Sequence, residues 1–464
     1  MKKITALLIS SIILIVTISN TCLASQYIVG PGFNKVPENV RMDNVSLAMM
    51  QASYWDEFPG SEKVLMNPAE IEAKNAANFA NPDCCMNKLS ELPATFDGNK
   101  IKASLAGFSN PTGLYVNGKP VPVSYYEGLR ANINGARVSA EMPLLYGFCT
   151  NRSELKSIPS AVWLSDDKTD PEWDNVVLSA VLIGEPLAVY FSTADGAFTY
   201  VKSEICDGWI PTQDIVLCHN KQEWEAAQNP ENFIVVTGPE IITEISYDAA
   251  HSEVIFEMGT RLELCEEPVQ YVDNRMSWCN YVAYYPGRGA DGFFEKQKIL
   301  IPFASDVSVG YMRYTQKNVI DLAFKSIGKR YGWGGSMSAQ DCSSFAREVY
   351  LCFGFCLPRN TTWQRQMKAD ITDLSKMNSG EKSRALDGAA QGSIVQFPGH
   401  EMIYVGEKNG KHYVVNDVSS LAEDTADGLT KRRVRTVIIN SLEDTKRANG
   451  KTWFDELNSI ITIK

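Results

Sequence analysis

Apolar and polar positions along the 464-residue chain fall into four successive rhythms. The first is the apolar run Ile4 to Ile18, broken only by small hydroxyl residues and preceded by the positive start Met1-Lys2-Lys3. It is short for a membrane span and suits the core of a signal peptide. Residues 25–155 then mix helical spacing with Gly, Pro and Asn turns. Pro68 opens a helix there, with Asn67 as its cap. Val116-Asn117-Gly118-Lys119 reads as a tight turn between extended segments. From 156 to 302 the period shortens to strands: Glu185 to Tyr190, Thr199 to Lys202 and Gly208 to Pro211, then Arg261 to Leu264, Trp278 to Val282 and Gly292 to Phe294. Such spacing favours small barrels, expected over 156–222 and 223–302, with Glu295 to Pro302 as a linker. Residues 303–464 alternate helix and strand as a separate α+β unit, so the fold class is α+β.

Composition narrows the function. Hydrophobic residues at 44% and charged residues at 21% describe a globular chain of several domains. A net charge of −11 argues against a nucleic-acid partner. The densest basic stretch, Lys431-Arg432-Arg433, reads as a solvated loop. Cys22-Leu23-Ala24 puts small residues before Ser25 for cleavage of residues 1–24, and lipid attachment at Cys22 is the alternative membrane tie. An uncleaved anchor is the third reading, and all three place the body outside the cytoplasm, in the periplasm or cell envelope. The cysteines show no disulfide framework, and Cys352 and Cys356 sit one helical turn apart, which points to packing. No HExxH and no zinc spacing occur, so no metal or cofactor is implied.

The chemistry gathers in the last unit. A glycine-rich stretch, Tyr331 to Ser336, leads to Asp341-Cys342 and then to helical spacing at Phe345, Val349, Cys352, Phe353 and Cys356. Asp341 becomes an N-cap and Cys342 a first-turn thiol, where the helix dipole favours the nucleophilic thiolate. The Asp341 charge works the other way, which leaves a nearby imidazolium to activate the sulfur. Of four histidines, His219 and His251 read as surface residues. His400 stands at the mouth of a strand after a tight turn and is the candidate base. A third group must fix its tautomer, and His412, Asn416 and Asp417 compete. Lys408-Asn409-Gly410-Lys411 reads as a hairpin turn, so His412 lies on the order of 15 Å from His400 along the ladder. A simple two-residue turn puts Asp417 on the face of His400, and a one-residue bulge puts Asn416 there. Spacing leaves both open.

Tyr-x-Trp-Gly-Gly at 331–335, Asp-Cys-Ser-Ser-Phe at 341–345, Leu-Pro-Arg-Asn-Thr at 357–361 with Gln364, Gly-Ser-Ile-Val at 392–395, and His-x-Met-Ile-Tyr-Val-Gly at 400–406 resemble the NlpC/P60 cysteine peptidases. The preceding segments resemble bacterial SH3-like (SH3b) domains behind a mainly helical N-terminal domain. The resemblance implies a papain-like catalytic domain that cleaves the γ-D-glutamyl–diamino acid bond of peptidoglycan stem peptides or muropeptides, and the chain is expected to be a monomer. Carried over, it makes Cys342 the nucleophile, His400 the base and Asn416 the third residue, where the family often has His. It makes Asp341 the partner of a free L-Ala amine, and Tyr331, Trp333, Ser343 and Thr361 substrate-facing, with the Tyr331 hydroxyl a candidate oxyanion donor. Ser344 stands where many relatives have Gly. A papain-like amidase or acyltransferase and a non-catalytic wall-binding protein are the competing readings.

Overall fold

The computed structural model describes Met42, residues 44–56 and residues 58–464. The signal-peptide and Cys22 expectations lie outside these residues. Among the described residues no helix is long and apolar enough to cross a membrane.

The N-terminal helices form where the sequence caps them. Asn67 accepts from the Glu70 N–H while the Glu70 carboxylate accepts from the Asn67 N–H, a reciprocal box that starts the helix Pro68–Ala80. The Asn117-Gly118 turn joins the two-residue strands Tyr115–Val116 and Lys119–Pro120. The helices Gly98–Ala106 and Val123–Asn134 do not close a core of their own. Leu89, Ala106 and Ile133 are buried together with Tyr146, Phe148, Trp209 and Trp224, which belong to the β-region behind them.

That β-region is a seven-stranded sheet, and its order differs from the expected boundaries. It begins with Leu145–Cys149 and Ser153–Lys156, on the N-terminal side of residue 156, and ends with Ile215–Leu217. Phe148 pairs with both Pro186–Ser192 and Ile215–Leu217, and Cys149 pairs with Ile215–Leu217. A second body has short strands around Ile234, Val236, Phe256, Leu262, Ala283, Ile299 and Ile301. The segment read as a linker is here the strand Phe294–Pro302, paired along its whole length with Asn280–Arg288. Its Ile299 and Ile301, on one face of the strand, enter the core of that body. The body runs on to Val307–Val309, which pairs with Phe233–Val236.

The C-terminal part is a six-stranded antiparallel sheet in the spatial order Asp370–Asp373, Ser459–Thr462, Ile394–Phe397, His400–Lys408, Lys411–Thr425, Gly428–Ser441. The basic triplet 431–433, read as a loop, lies on the last of these strands. The helix Cys342–Leu351 packs on the His400 and Lys411 strands. It stops short of the expected Cys356. Gly354, at φ 89°, takes the left-handed turn that lets Phe355 N–H bond Tyr350 O and Gly354 N–H bond Leu351 O. Phe353 and Phe355 remain buried, on a turn and not on a helix face. The helix Pro68–Ala80 is fastened here through its amides: Asn75 bonds Gly354 O and Cys356 N–H, and Asn78 bonds Lys368 N–H. Residues 48–464 therefore make one compact unit whose parts share cores.

Candidate active site

Two glycines bring the β-region and the C-terminal sheet together beside Cys342. Gly334 and Gly335 have φ 66° and 92°, and a Cβ on either would meet Val177 or Ala180 of the strand Val177–Val181 at 2.7–2.8 Å. Only glycine permits both that backbone turn and that approach. The loop then delivers Asp341 as N-cap of the helix, its side chain accepting from Ser344 N–H at 2.9 Å. Cys342 is the first helical residue and is 8% exposed.

Asp341 is not left with an uncompensated charge. Arg359 grips it with two donors, Nη2 to Oδ2 at 2.7 Å and Nη1 to Oδ1 at 3.2 Å. Ser343 Oγ and Gly334 N–H also donate to it. Burial alone would raise its pKa, but the guanidinium and these donors hold the carboxyl below its ordinary value. Arg359 reaches further, its Nε donating to Ser179 Oγ in the β-region at 2.9 Å. Ser343, expected to face substrate, turns its hydroxyl inward to Asp341 and Arg359. Thr361 opens the short helix Thr361–Gln364, and its carbonyl accepts from Gln396.

His400 lies at the start of its strand, packed between Phe397 and Trp453 with ring centroids 5.2 Å from each. Its Nε2 is 2.9 Å from Asn416 Oδ1. The strands show how this comes about. The Asn409-Gly410 turn pairs Lys408 with Lys411, but one extra residue, Val405, bulges between Tyr404 and Gly406. The bulge shifts the register by one and brings Asn416 to the face of His400, with Asp417 on the opposite face. Asp417 is fully buried with neither oxygen hydrogen-bonded, and burial pushes its pKa well up. His412 sits beside Glu443 and Asp387, held at 2.7 and 3.0 Å.

An amide oxygen can only accept, so His400 Nε2 carries the proton and Nδ1 is bare. The Cys342 sulfur receives a backbone hydrogen bond from Glu401, the residue after His400, which places thiol and imidazole strand side by side. Burial, followed by the nearby Asp341 and Glu401, raises the thiol well above its ordinary pKa. Burial lowers His400 to about 4. At neutral pH both are uncharged, so the expected imidazolium is not the resting form. Burial also pushes Glu401 up to about 8.

Tyr331 is buried close to Cys342, and burial holds its hydroxyl protonated. Trp333 is half exposed. Trp173, from the β-region, stacks on both, with centroids 6.1 and 5.2 Å away. Arg435 lies over the Trp173 ring and pairs with Asp170 and Glu172, while Arg330 also pairs with Glu172. Arg359 and Glu401 were visible in the motifs but carried no assigned role, and Trp173 gave no sequence signal. His251, expected at the surface, is buried between Asp273 and Gln297, whereas His219 is exposed beside Glu223 and Asp291.

Residues 328–436 match the NlpC/P60 family, and residues 164–211 match an SH3 domain of the SH3b1 type. No curated protein matches the chain. Among solved structures, an NlpC/P60 endopeptidase from Photobacterium damselae subsp. piscicida aligns with TM-score 0.68 at 15% identity, over 89% of this chain and 96% of that one. An NlpC/P60 family protein from Bacillus cereus aligns with TM-score 0.46 at 17% identity, over 68% of this chain and 98% of that one. The chain thus carries an NlpC/P60 domain behind an SH3b1-type SH3 domain, a pairing that supports a cell-wall cysteine peptidase.

Proposed function

We propose that the protein is an exported, monomeric peptidase that hydrolyses the γ-D-glutamyl–diaminopimelate bond of short peptidoglycan stem peptides, with Cys342 as nucleophile, His400 as base and Asn416 as its orienter. The observation that carries this reading is the His400 Nε2 to Asn416 Oδ1 contact at 2.9 Å, one residue along the strand from Glu401, whose backbone bonds the buried Cys342 sulfur. It leaves Nδ1 free to take a proton. His400 Nδ1 accepts the Cys342 proton as the sulfur bonds the γ-glutamyl carbonyl carbon, and the carbonyl electrons move onto oxygen. The Tyr331 hydroxyl, protonated at working pH, and backbone N–H at the helix start suit that oxyanion. The C–N bond then breaks as His400 returns the proton to the leaving amine. Water, deprotonated by the same imidazole, releases the thioester as a carboxylate and regenerates the thiol.

Substrate length follows from the β-region. Val177 and Ala180 press on the loop at 334–335, and Trp173 stands over Tyr331 and Trp333. A wall on that side favours a stem with a short free N-terminus, and Trp333 and Thr361 remain the substrate-facing residues. Asp341 as receptor of the L-Ala amine would have to share a carboxylate already holding Arg359.

That last observation favours a second reading, an amidase or acyltransferase of the same thiol chemistry that needs no free amine. The two separate on paired substrates, L-Ala-γ-D-Glu-diaminopimelate and its N-acetylated form. Cleavage of the free peptide alone supports the first reading, and equal cleavage of both supports the second.

A further inference from the structure

The amide of Asn416 could face His400 by either end. With Oδ1 toward the ring, His400 keeps its proton on Nε2 and Nδ1 is a base. With Nδ2 toward the ring, the imidazole moves its proton to Nδ1 and can no longer take one from Cys342. Something must hold the amide one way round.

We infer that Asn440, Thr445 and the backbone carbonyl of Ser441 form a one-directional hydrogen-bond relay that fixes the proton on His400. The inference rests on the reading of His400 as base. The relay is anchored at a group that cannot donate. Thr445 Oγ1 donates to Ser441 O at 2.7 Å. Its lone pair therefore faces Asn440, whose Nδ2 donates to it at 2.8 Å. The same Nδ2 also reaches Ser441 O at 3.4 Å. That leaves Asn440 Oδ1 pointed at Asn416, whose Nδ2 donates to it at 2.7 Å. Asn416 Oδ1 is thereby aimed at His400 Nε2. Each step admits one direction only, given the step before it.

These partners lie away from bulk water. Asn416 and Asn440 are fully buried, Ser441 is 1% exposed and Thr445 3%. The relay is also tied to the packing of the imidazole itself. Trp453 N–H bonds Thr445 O at 2.8 Å, and the Trp453 indole lies against the His400 ring. Asn440 and Thr445 fall beyond the segment 328–436 that matches the NlpC/P60 family. They are positioning residues, since neither touches the reacting atoms.

The test uses the full chain with 15N-labelled histidine and the variants Asn440→Leu and Thr445→Val, each alone and combined with Asn416→Asp. In the wild type His400 is expected to show the Nε2-protonated tautomer. Asn440→Leu is expected to give a mixture of tautomers and to lower kcat about tenfold with KM unchanged, and Thr445→Val to do so less strongly. An aspartate at 416 accepts through either oxygen and needs no orienting, so in that background Asn440→Leu is expected to change kcat by less than about twofold. An unchanged tautomer in Asn440→Leu overturns the relay, as does an equal kcat loss in both backgrounds, which marks a merely structural role. Where Asn440→Leu does not fold, Thr445→Val carries the same comparison. The tautomer signal is read without substrate, so an absence of peptidase activity defeats the proposed function and leaves the relay to be judged separately.

Discussion

Asp341 and Arg359 show how a single pairing changes the meaning of a residue. In sequence the carboxylate stands beside the thiol whose ionisation it opposes. In the fold it caps the helix and neutralises a buried guanidinium. Asp341→Ala therefore strips Arg359 of its partner in a dry site, a loss of roughly 3–5 kcal/mol. We expect a lowered melting temperature that the double variant Asp341→Ala/Arg359→Leu partly recovers. No recovery would mean that the pair is not the source. The same variant cannot report on amine binding, which is why N-acetylated substrate is the better probe. Glu401 supplies the pH dependence. Its pKa is raised above the unfolded value to about 8, so the fold prefers the protonated acid. That contribution is complete below about 4.5 and is lost as pH rises through about 8. Ionisation there sets a negative charge near Cys342, with Asp341 and Arg359 the other charged groups facing it. We expect kcat/KM of the wild type to fall above pH 8, and Glu401→Gln to keep its activity and melt higher there while matching the wild type near pH 4. Identical alkaline profiles would refute this. His400 sets the other limb: its pKa is depressed to about 4, so its contribution to stability is held above about 6.5 and lost as pH falls through about 4.

At the scale of elements, one bulged residue decides which side chain faces His400. Without Val405 the hairpin would present Asp417 to His400, and with it Asn416 is presented. Asn416→Ala is accordingly expected to reduce kcat about a hundredfold, while Asp417→Asn, a near-neutral exchange on the opposite face, stays within about threefold. The reverse order in a steady-state assay would place Asp417 in the triad. The turn at Asn409-Gly410, the cap at Asp341 and the cap at Asn67 were legible because each depends on residues within a few positions. The bulge was not, since nothing local distinguishes Val405 from its neighbours. Between Asn416 and Asp417, the resemblance to a family decided what spacing left open. The local signal for the early end of the Cys342 helix is Gly354, which the apolar spacing that continues to Cys356 obscures. Asn440 was harder to see: a polar residue at the end of the apolar run Val437 to Ile439 reads as a strand end until its partners are known.

For the whole molecule, the expected succession of domains gives way to shared cores. Helices of the N-terminal segment bury Ala106 and Ile133 against Trp209 and Trp224, because short helices and short strands cannot each enclose a dry interior. Strand rhythm revealed two β-bodies, but long-range pairing set their limits, which is why Leu145 and Val307 fell on the wrong side of the expected boundaries. The same long-range packing brings Trp173, Val177 and Ser179 to the Cys342 site, so the β-region shapes the cleft as well as preceding it. What this assembly is for comes down to whether the buried thiol performs the reaction. The most direct measurement incubates the purified full chain, and its Cys342→Ala variant, with L-Ala-γ-D-Glu-diaminopimelate and follows release of diaminopimelate. Release by the wild type and none by the variant is the expected result. No release by the wild type, or equal release by both, would contradict it.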